Sequence, residues 1–271
     1  MFTLFSAPYW KAVSPKMIDD CYELLLDKVM NKISTLTYHK KFELNNNRRQ
    51  QILEFLSVEA WSTADNLRLL LAVNHNAYVR RLLDRMIEDG LINKHHFIVN
   101  GSKRSIYLIS DFGFLELGFV GRTKPTKVSV QNYLHNELVQ NLKIQATALG
   151  FSWQNELELI RSKSFASYPD GLLNIDNQLK ISIELQRNRF SMEALKSKVA
   201  KCLADCLNGK FNKVLFICAD NLSANTMQKA LFSVENLKGK SHQDIHFSNE
   251  YKARFEFINF SGFADYLQKG I

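Results

Sequence analysis

The residues most able to do chemistry are concentrated in Ser167-Tyr168-Pro169-Asp170-Gly171-Leu172-Leu173-Asn174-Ile175-Asp176-Asn177-Gln178-Leu179-Lys180-Ile181-Ser182-Ile183-Glu184-Leu185-Gln186. Ile181, Ile183 and Leu185 alternate with Ser182, Glu184 and Gln186, and a strand's period of two puts Glu184 and Gln186 on one face. Asp176-Asn177-Gln178 predicts a three-residue turn. A hairpin centred on Asn177 sets opposite each other residues whose numbers sum to 354, and Asp170 and Glu184 are such a pair. Directly opposed residues share a face, with Cβ atoms about 5 Å apart. Two carboxylates that close repel, so one takes up a proton unless a cation lies between them. A hard divalent ion such as Mg²⁺ resolves the conflict, because it prefers oxygen ligands. The competing reading is an exposed hairpin whose acids merely align, and a bulge would break the register.

Pro169-Asp170 followed by Glu184-Leu185-Gln186 resembles the PD-(D/E)xK nuclease signature. The resemblance implies a restriction-endonuclease-like mixed sheet flanked by helices. It also implies that Asp170 and Glu184 bind Mg²⁺ or Mn²⁺ while a lysine helps to orient the attacking water. Gln186 stands where that lysine is usual, and an amide can orient water by hydrogen bonding but cannot serve as its base. A lysine displaced to the next helix is the other route, with Lys196, Lys198 and Lys201 in range and Lys198 the choice. The resemblance further implies a third acid from the helix before the hairpin, where Glu137 in Tyr133-Leu134-His135-Asn136-Glu137-Leu138 is placed for it. Leu134, Leu138 and Leu142 form that helix's buried stripe, so Glu137 lies at its border. Glu137 as an ordinary surface acid remains an open alternative. His135 reads as a border histidine satisfied by a backbone partner.

The elements that must position these residues follow from the pattern. Residues 128–271 predict an α/β (α+β) domain with a central sheet. A long helix spans Val130–Leu149, and a strand-rich stretch runs to about Arg187. A helix over Ser191–Leu207 and a strand over Lys213–Ala219 come next. A helix near Ser223–Leu237, a strand over Arg254–Phe260 and a short final helix complete the domain. His242-x-Asp244-x-His246 alternates as a strand would, but no third ligand stands nearby, and it reads as a surface loop.

Before a polar linker at 121–127, residues 48–120 predict helix, helix, helix, hairpin. The helices cover Arg48–Val58, Asn66–Val73 and Ala77–Glu88, with Ser62-Thr63-Ala64-Asp65 as a start signal and Gly90 as a C-cap. Asn100-Gly101 joins the extended runs Leu91–Val99 and Ser102–Ile109, a strong two-residue hairpin signal. This is the pattern of a winged helix-turn-helix, whose third helix enters the major groove by its N-terminal end. His75, Asn76, Tyr78, Arg80 and Arg81 lie there, with Arg85 sharing a face with Arg81, while Lys94, His95, His96, Lys103 and Arg104 furnish the wing. Val79, Leu82, Leu83 and Met86 form the core stripe. A solvated helix face and a protein-binding adaptor are the competing readings. Residues 1–47 form an N-terminal extension with one amphipathic run, Pro15–Leu26, broken by Asn45-Asn46-Asn47.

The order of these parts is similar to the replication-relaxation family and to MobC-type relaxases of mobilisable plasmids. Winged helix, His135 helix, Tyr168-Pro169-Asp170-Gly171, Glu184-Leu185-Gln186 and Leu195-x-x-Lys198 follow one another over about residues 48–220. The resemblance implies nicking of one DNA strand at a plasmid transfer origin, with an accessory mobilisation protein. A tyrosine nucleophile is not required, although Tyr133 and Tyr168 are available. Two rivals stand: a sequence-specific initiator or repressor that has lost catalysis, and a restriction-type enzyme cutting both strands as a homodimer.

Composition is compatible with all three. The 271 residues include 35 Lys plus Arg against 27 Asp plus Glu, for a net charge of +8, which favours a polyanionic partner such as double-stranded DNA. The excess is spread, with 18 basic and 13 acidic residues in 1–127 and 17 and 14 in 128–271. With 46% hydrophobic residues and only 11 Gly and 4 Pro, disorder and low-complexity chains are excluded. Cys21, Cys202, Cys206 and Cys218 have neither zinc-pair spacing nor the density of a disulfide scaffold. No run is long enough for a membrane span, and the N-terminus lacks a signal-peptide pattern. The expectation is a cytoplasmic protein.

Overall fold

The computed structural model describes residues 38–119, 132–176, 179–189, 191–238 and 244–269. The amphipathic run at 15–26, the linker at 121–127, Asn177, Gln178 and His242 lie outside them. The chain divides into two compact units, Met1–Thr126 and Lys127–Ile271.

The first unit opens with helix α1 (Tyr38–Glu59). It runs straight through Asn45-Asn46-Asn47, where the sequence predicts a break. A tertiary contact outweighs the weak helix propensity of asparagine there: Asn45 Oδ1 accepts the Tyr78 hydroxyl at 2.6 Å. Helix α2 (Ala64–Leu70) is capped by the Thr63 hydroxyl, which accepts the Asn66 N–H. Helix α3 (Asn76–Glu88) buries Val79, Leu82, Leu83 and Met86. Strands β1 (Ile92–Val99) and β2 (Ser102–Ile109) pair antiparallel. Asn100 and Gly101 both have positive φ, 48° and 76°, as a type I′ turn requires. Ser62 adds a bridge to Tyr107, with both backbone hydrogen bonds at 2.9 Å. A short helix, α4 (Asp111–Glu116), follows without a strong sequence signal; Ser110 caps it and also donates to the Gly90 carbonyl. Ile52, Leu56, Trp61, Leu67, Leu83, Met86 and Ile106 are fully buried at the centre. The unit has the helix-helix-helix-hairpin order of a winged helix-turn-helix.

The second unit is a mixed α/β layer structure. Helix α5 (Tyr133–Ala148) leads into β3 (Ser152–Asn155), helix α6 (Glu156–Ser162), β4 (Gly171–Asn174) and β5 (Lys180–Gln186). Helix α7 (Met192–Leu207), β6 (Lys213–Cys218) and helix α8 (Ala224–Phe232) come next. A small pair, β7 (Asn236–Lys238) and β8 (Asp244–His246), precedes α9 (Asn249–Lys252), β9 (Phe255–Asn259) and, after one 3₁₀ turn, α10 (Phe263–Gln268). The main sheet has the order β3-β4-β5-β6-β9, antiparallel through β5 and parallel from β5 to β9.

Four expectations change. Helix α6 interrupts the strand-rich stretch, started by the Asn155–Glu158 capping box. Helix α8 stops at Phe232, because the chain then forms β7. Asp244 and His246 sit on β8 paired to β7 rather than on a loop. The alternation in β5 does not mark a wet face: Ser182 is 0% and Glu184 4% exposed. Ile181, Ile183 and Leu185 pack under α5 and α10, and α7 covers the opposite face with Leu195, Val199, Cys202 and Leu203. A strand joined by a parallel partner is covered on both sides.

Candidate active site and nucleic-acid interface

The hairpin register sets the site. Gly171↔Ile183, Leu172↔Ser182, Leu173↔Ile181 and Asn174↔Lys180 all sum to 354, and Ile175 N–H donates to Leu179 O at 3.0 Å. At Asp170 the chain leaves the ladder. Its N–H donates to Ile183 O at 3.0 Å, and its Oδ2 accepts the Leu185 N–H at 2.7 Å. A continued antiparallel ladder would offer that N–H the carbonyl of residue 169, so the Asp170 side chain takes the place of a main-chain acceptor. Its other oxygen, Oδ1, lies 3.0 Å from His135 Nε2 on α5.

Glu184 projects from the opposite strand under α7. Lys198 Nζ is 2.8 Å from its Oε2, and the Cys202 thiol donates to Oε1 at 3.7 Å. Burial pushes the Glu184 carboxyl up to about 8 against the pull of Lys198, and the nearby Asp170 charge adds to the rise. Lys198 is itself raised: burial works against its charge, but Glu184 more than offsets it. Burial, rather than the lack of a cationic partner, is what raises Glu184.

Two further groups belong to the cluster. Glu156 opens α6 directly after Asn155, which pairs with Gly171, so it follows the same turn of the sheet edge as Asp170. Burial raises its carboxyl, and Asp170 raises it further, while His135 and Lys198 oppose the rise. For His135, burial lowers the imidazole but the Asp170 hydrogen bond and charge outweigh it, leaving the group raised. Arg187 opposes the imidazolium and is held by Asp220 at 2.7 Å.

The structure pairs Glu184 with Lys198 and Asp170 with His135, and Asp170 Oδ2 reaches the Leu185 N–H next to Glu184. His135 binds a carboxylate, not a backbone partner. Spacing in one dimension carried no sign that α5 would cross above Asp170. Glu156 had no signal beyond its position after β3. Glu137 accepts the Tyr133 hydroxyl at 3.2 Å, one helical turn away, and among the described residues no group of three His, Cys, Asp or Glu is placed to hold a metal ion together. Gln186 Nε2 donates to the Asn188 carbonyl at 2.6 Å, which ties its amide nitrogen to its own loop. Lys201 is exposed and Lys196 half-buried.

The donor chemistry fits a hard divalent ion. Mg²⁺ is commonly held by one or two carboxylates, with waters and substrate phosphate filling the remaining positions. Asp170 and Glu184 supply two carboxylates, and Lys198 Nζ lies 2.8 Å from Glu184 Oε2.

In the first unit, His75, Asn76, Arg80, Arg81, Arg85, Lys103 and Arg104 are exposed. Arg81 Nε donates to the Ala77 carbonyl at 3.2 Å, along its own helix. Tyr78 is half-buried; its hydroxyl donates to Asn45 Oδ1 and the Arg48 guanidinium lies 4.9 Å from its ring centre. On the wing, Lys94 lies over the Tyr107 ring and His96 Nδ1 is 2.9 Å from Ser105 Oγ.

No family model and no curated protein matches the chain. Among solved structures, a MarR family transcriptional regulator from Silicibacter pomeroyi DSS is similar at 19% identity and a TM-score of 0.26. The match covers 58% of this chain and 99% of that one. A likeness of that strength assigns neither fold nor activity. Among the described residues, no helix is long and apolar enough to cross a membrane.

Proposed function

We propose that the protein is a DNA-binding, metal-dependent endonuclease that nicks one strand of a duplex. The observation that carries this reading is the placement of Asp170 and Glu184 at one hairpin mouth, with His135 on Asp170, the Leu185 N–H on Asp170 Oδ2 and Lys198 on Glu184. Asp170 and Glu184 would hold Mg²⁺ or Mn²⁺. Such an ion supplies charge stabilisation at a phosphate and lowers the pKa of a bound water. Lys198 takes the place of the lysine missing at Gln186: its ammonium, fixed by Glu184, donates hydrogen bonds that orient a water. His135 holds Asp170 Oδ1 and keeps that carboxylate aimed. The exposed Arg80, Arg81 and Arg85 of α3, with Lys103 and Arg104 of the wing, contact phosphates and base edges.

The finer reading is a mobilisation relaxase at a plasmid transfer origin, aided by an accessory protein. It rests on the order of motifs along the chain. A second reading is favoured by the Lys198–Glu184 contact itself: an ion pair that never yields would leave a binding protein without catalysis.

Conversion of supercoiled plasmid to open circle tests both. Wild type, Asp170→Ala and Glu184→Ala are compared with Mg²⁺, Mn²⁺ or EDTA, on plasmids with and without a transfer origin. Metal-dependent open circles lost in both variants are expected, and linear product would identify a restriction-type enzyme. Binding without cutting, under every metal condition and with accessory protein present, would overturn the nuclease and leave the binding protein.

A further inference from the structure

We infer that Asp205 is a positioning residue for this site, clamping the loop that delivers Asp170. The inference rests on the reading of Asp170 as a site carboxylate. Asp205 lies on α7 and is 2% exposed. Its two oxygens accept the Ala166 N–H at 3.0 and 2.8 Å, and Oδ2 also accepts the Ser167 N–H at 3.1 Å. A buried carboxylate is costly unless its oxygens are hydrogen-bonded. Here those bonds come from the main chain just ahead of Asp170.

Position on the helix makes the arrangement purposeful. Lys198, Cys202 and Asp205 are spaced i, i+4, i+7 and fall on one stripe of α7. Lys198 and Cys202 reach Glu184, and Asp205 reaches the approach to Asp170. One helix face therefore anchors both carboxylates. Between clamp and carboxylate stand only Tyr168 and Pro169. Proline fixes its own φ and restricts the residue before it, so the short link passes on a displacement instead of absorbing it. On the far side, Gly171 lies against the Trp153 ring so closely that a Cβ would meet Cζ2 at 2.0 Å. Asp170 is thus held between two tie points. Asp205 touches neither metal nor substrate in this scheme and acts through the loop.

Hydrogen exchange and nicking kinetics of the full chain test the inference in Asp205→Ala and in the isosteric Asp205→Asn, which covers the case where the first variant fails to fold. The decisive amide is Leu185, because Asp170 Oδ2 accepts its N–H. Faster exchange at Ala166, Ser167 and Leu185 is expected, with β6 amides unchanged. With it goes a fall in kcat of about a hundredfold, the scale of a misplacement near 1 Å. KM for plasmid should stay constant, since the first unit supplies DNA affinity. If Ala166 and Ser167 exchange faster while Leu185 keeps its protection, Asp205 is a local clamp and the inference is overturned. Loosening of all three amides with kcat unchanged overturns it as well. Should wild type cut no DNA, the nuclease reading fails, and the Leu185 amide still decides whether Asp205 positions Asp170.

Discussion

Replacing Glu184 with glutamine should make the second unit more stable at neutral pH. The side chain is 4% exposed, and burial pushes its carboxyl from an ordinary 4.5 up to about 8. Between those values the folded chain keeps a proton that the unfolded chain has released. A raised folded pKa therefore contributes stability that is complete below 4.5 and is lost as pH rises through about 8. The slope is about 1.4 kcal/mol per pH unit, so the loss is about 3 kcal/mol by pH 7 and about 5 kcal/mol once pH exceeds 8. Glutamine has no charge to desolvate, and its carboxamide oxygen still accepts from Lys198. The stability of Glu184→Gln should match wild type near pH 4.5 and exceed it progressively above. Hydrogen exchange of β5 and β6 amides, corrected for intrinsic rates at each pH, reads this in the second unit alone. A variant less stable than wild type by the same amount at pH 5 and pH 7 would refute the reasoning. It would mean that Lys198 fully compensates an ionised Glu184. A site residue that lowers stability when present is what function at a buried carboxylate leads one to expect.

Three other outcomes follow from the same geometry. Asp170→Asn should drop the His135 pKa below its ordinary 6.5, because the hydrogen bond and charge that raise it are removed and burial remains; a proton–nitrogen NMR titration of the imidazole reads this, and an unchanged value contradicts the contact. Gly171→Ala should destabilise the protein by about 1–3 kcal/mol through overpacking, since the new methyl would overlap the Trp153 ring; urea unfolding measures it, and a neutral substitution would show that the ring moves freely. Arg81→Ala and Arg85→Ala should weaken duplex binding on all sequences and lower the salt slope by about 0.9 for each phosphate no longer neutralised, while Asp170→Ala leaves binding intact; fluorescence anisotropy at several salt concentrations separates these cases.

Much of the positioning of the site was legible along the chain, and the reasons are local. Period-two alternation and an expected turn centred on Asn177 set a register that the ladder from Gly171 to Asn174 follows pair for pair, but the ladder ends there: the expected Asp170–Glu184 pair does not form, and the Asp170 N–H donates to Ile183 O. Asn100-Gly101 made the wing hairpin readable, since both positions need a positive φ. The α3 core stripe followed from period 3.6. Lys198 was one of three lysines in range on the helix after the hairpin, and nothing local distinguished it from Lys196 and Lys201; its contact with Glu184 is visible only in the fold.

Tertiary structure decided the rest, because it depends on elements far apart in the chain. Only the crossing of α5 places His135 on Asp170, 35 residues away. Only the packing of α7 against β5 turns a polar strand face into a buried one, and so raises Glu184. Helix α1 absorbs three asparagines because Asn45 finds Tyr78 from another helix. That same bond engages the hydroxyl of the half-buried Tyr78. Asp205 shows the limit most clearly: in sequence it is one acid in an amphipathic helix, and only the folded chain brings the Ala166–Ser167 backbone against it. Periodicity reports which face a residue occupies, while the partner waiting on that face is set by long-range packing, which burial and chain topology determine together.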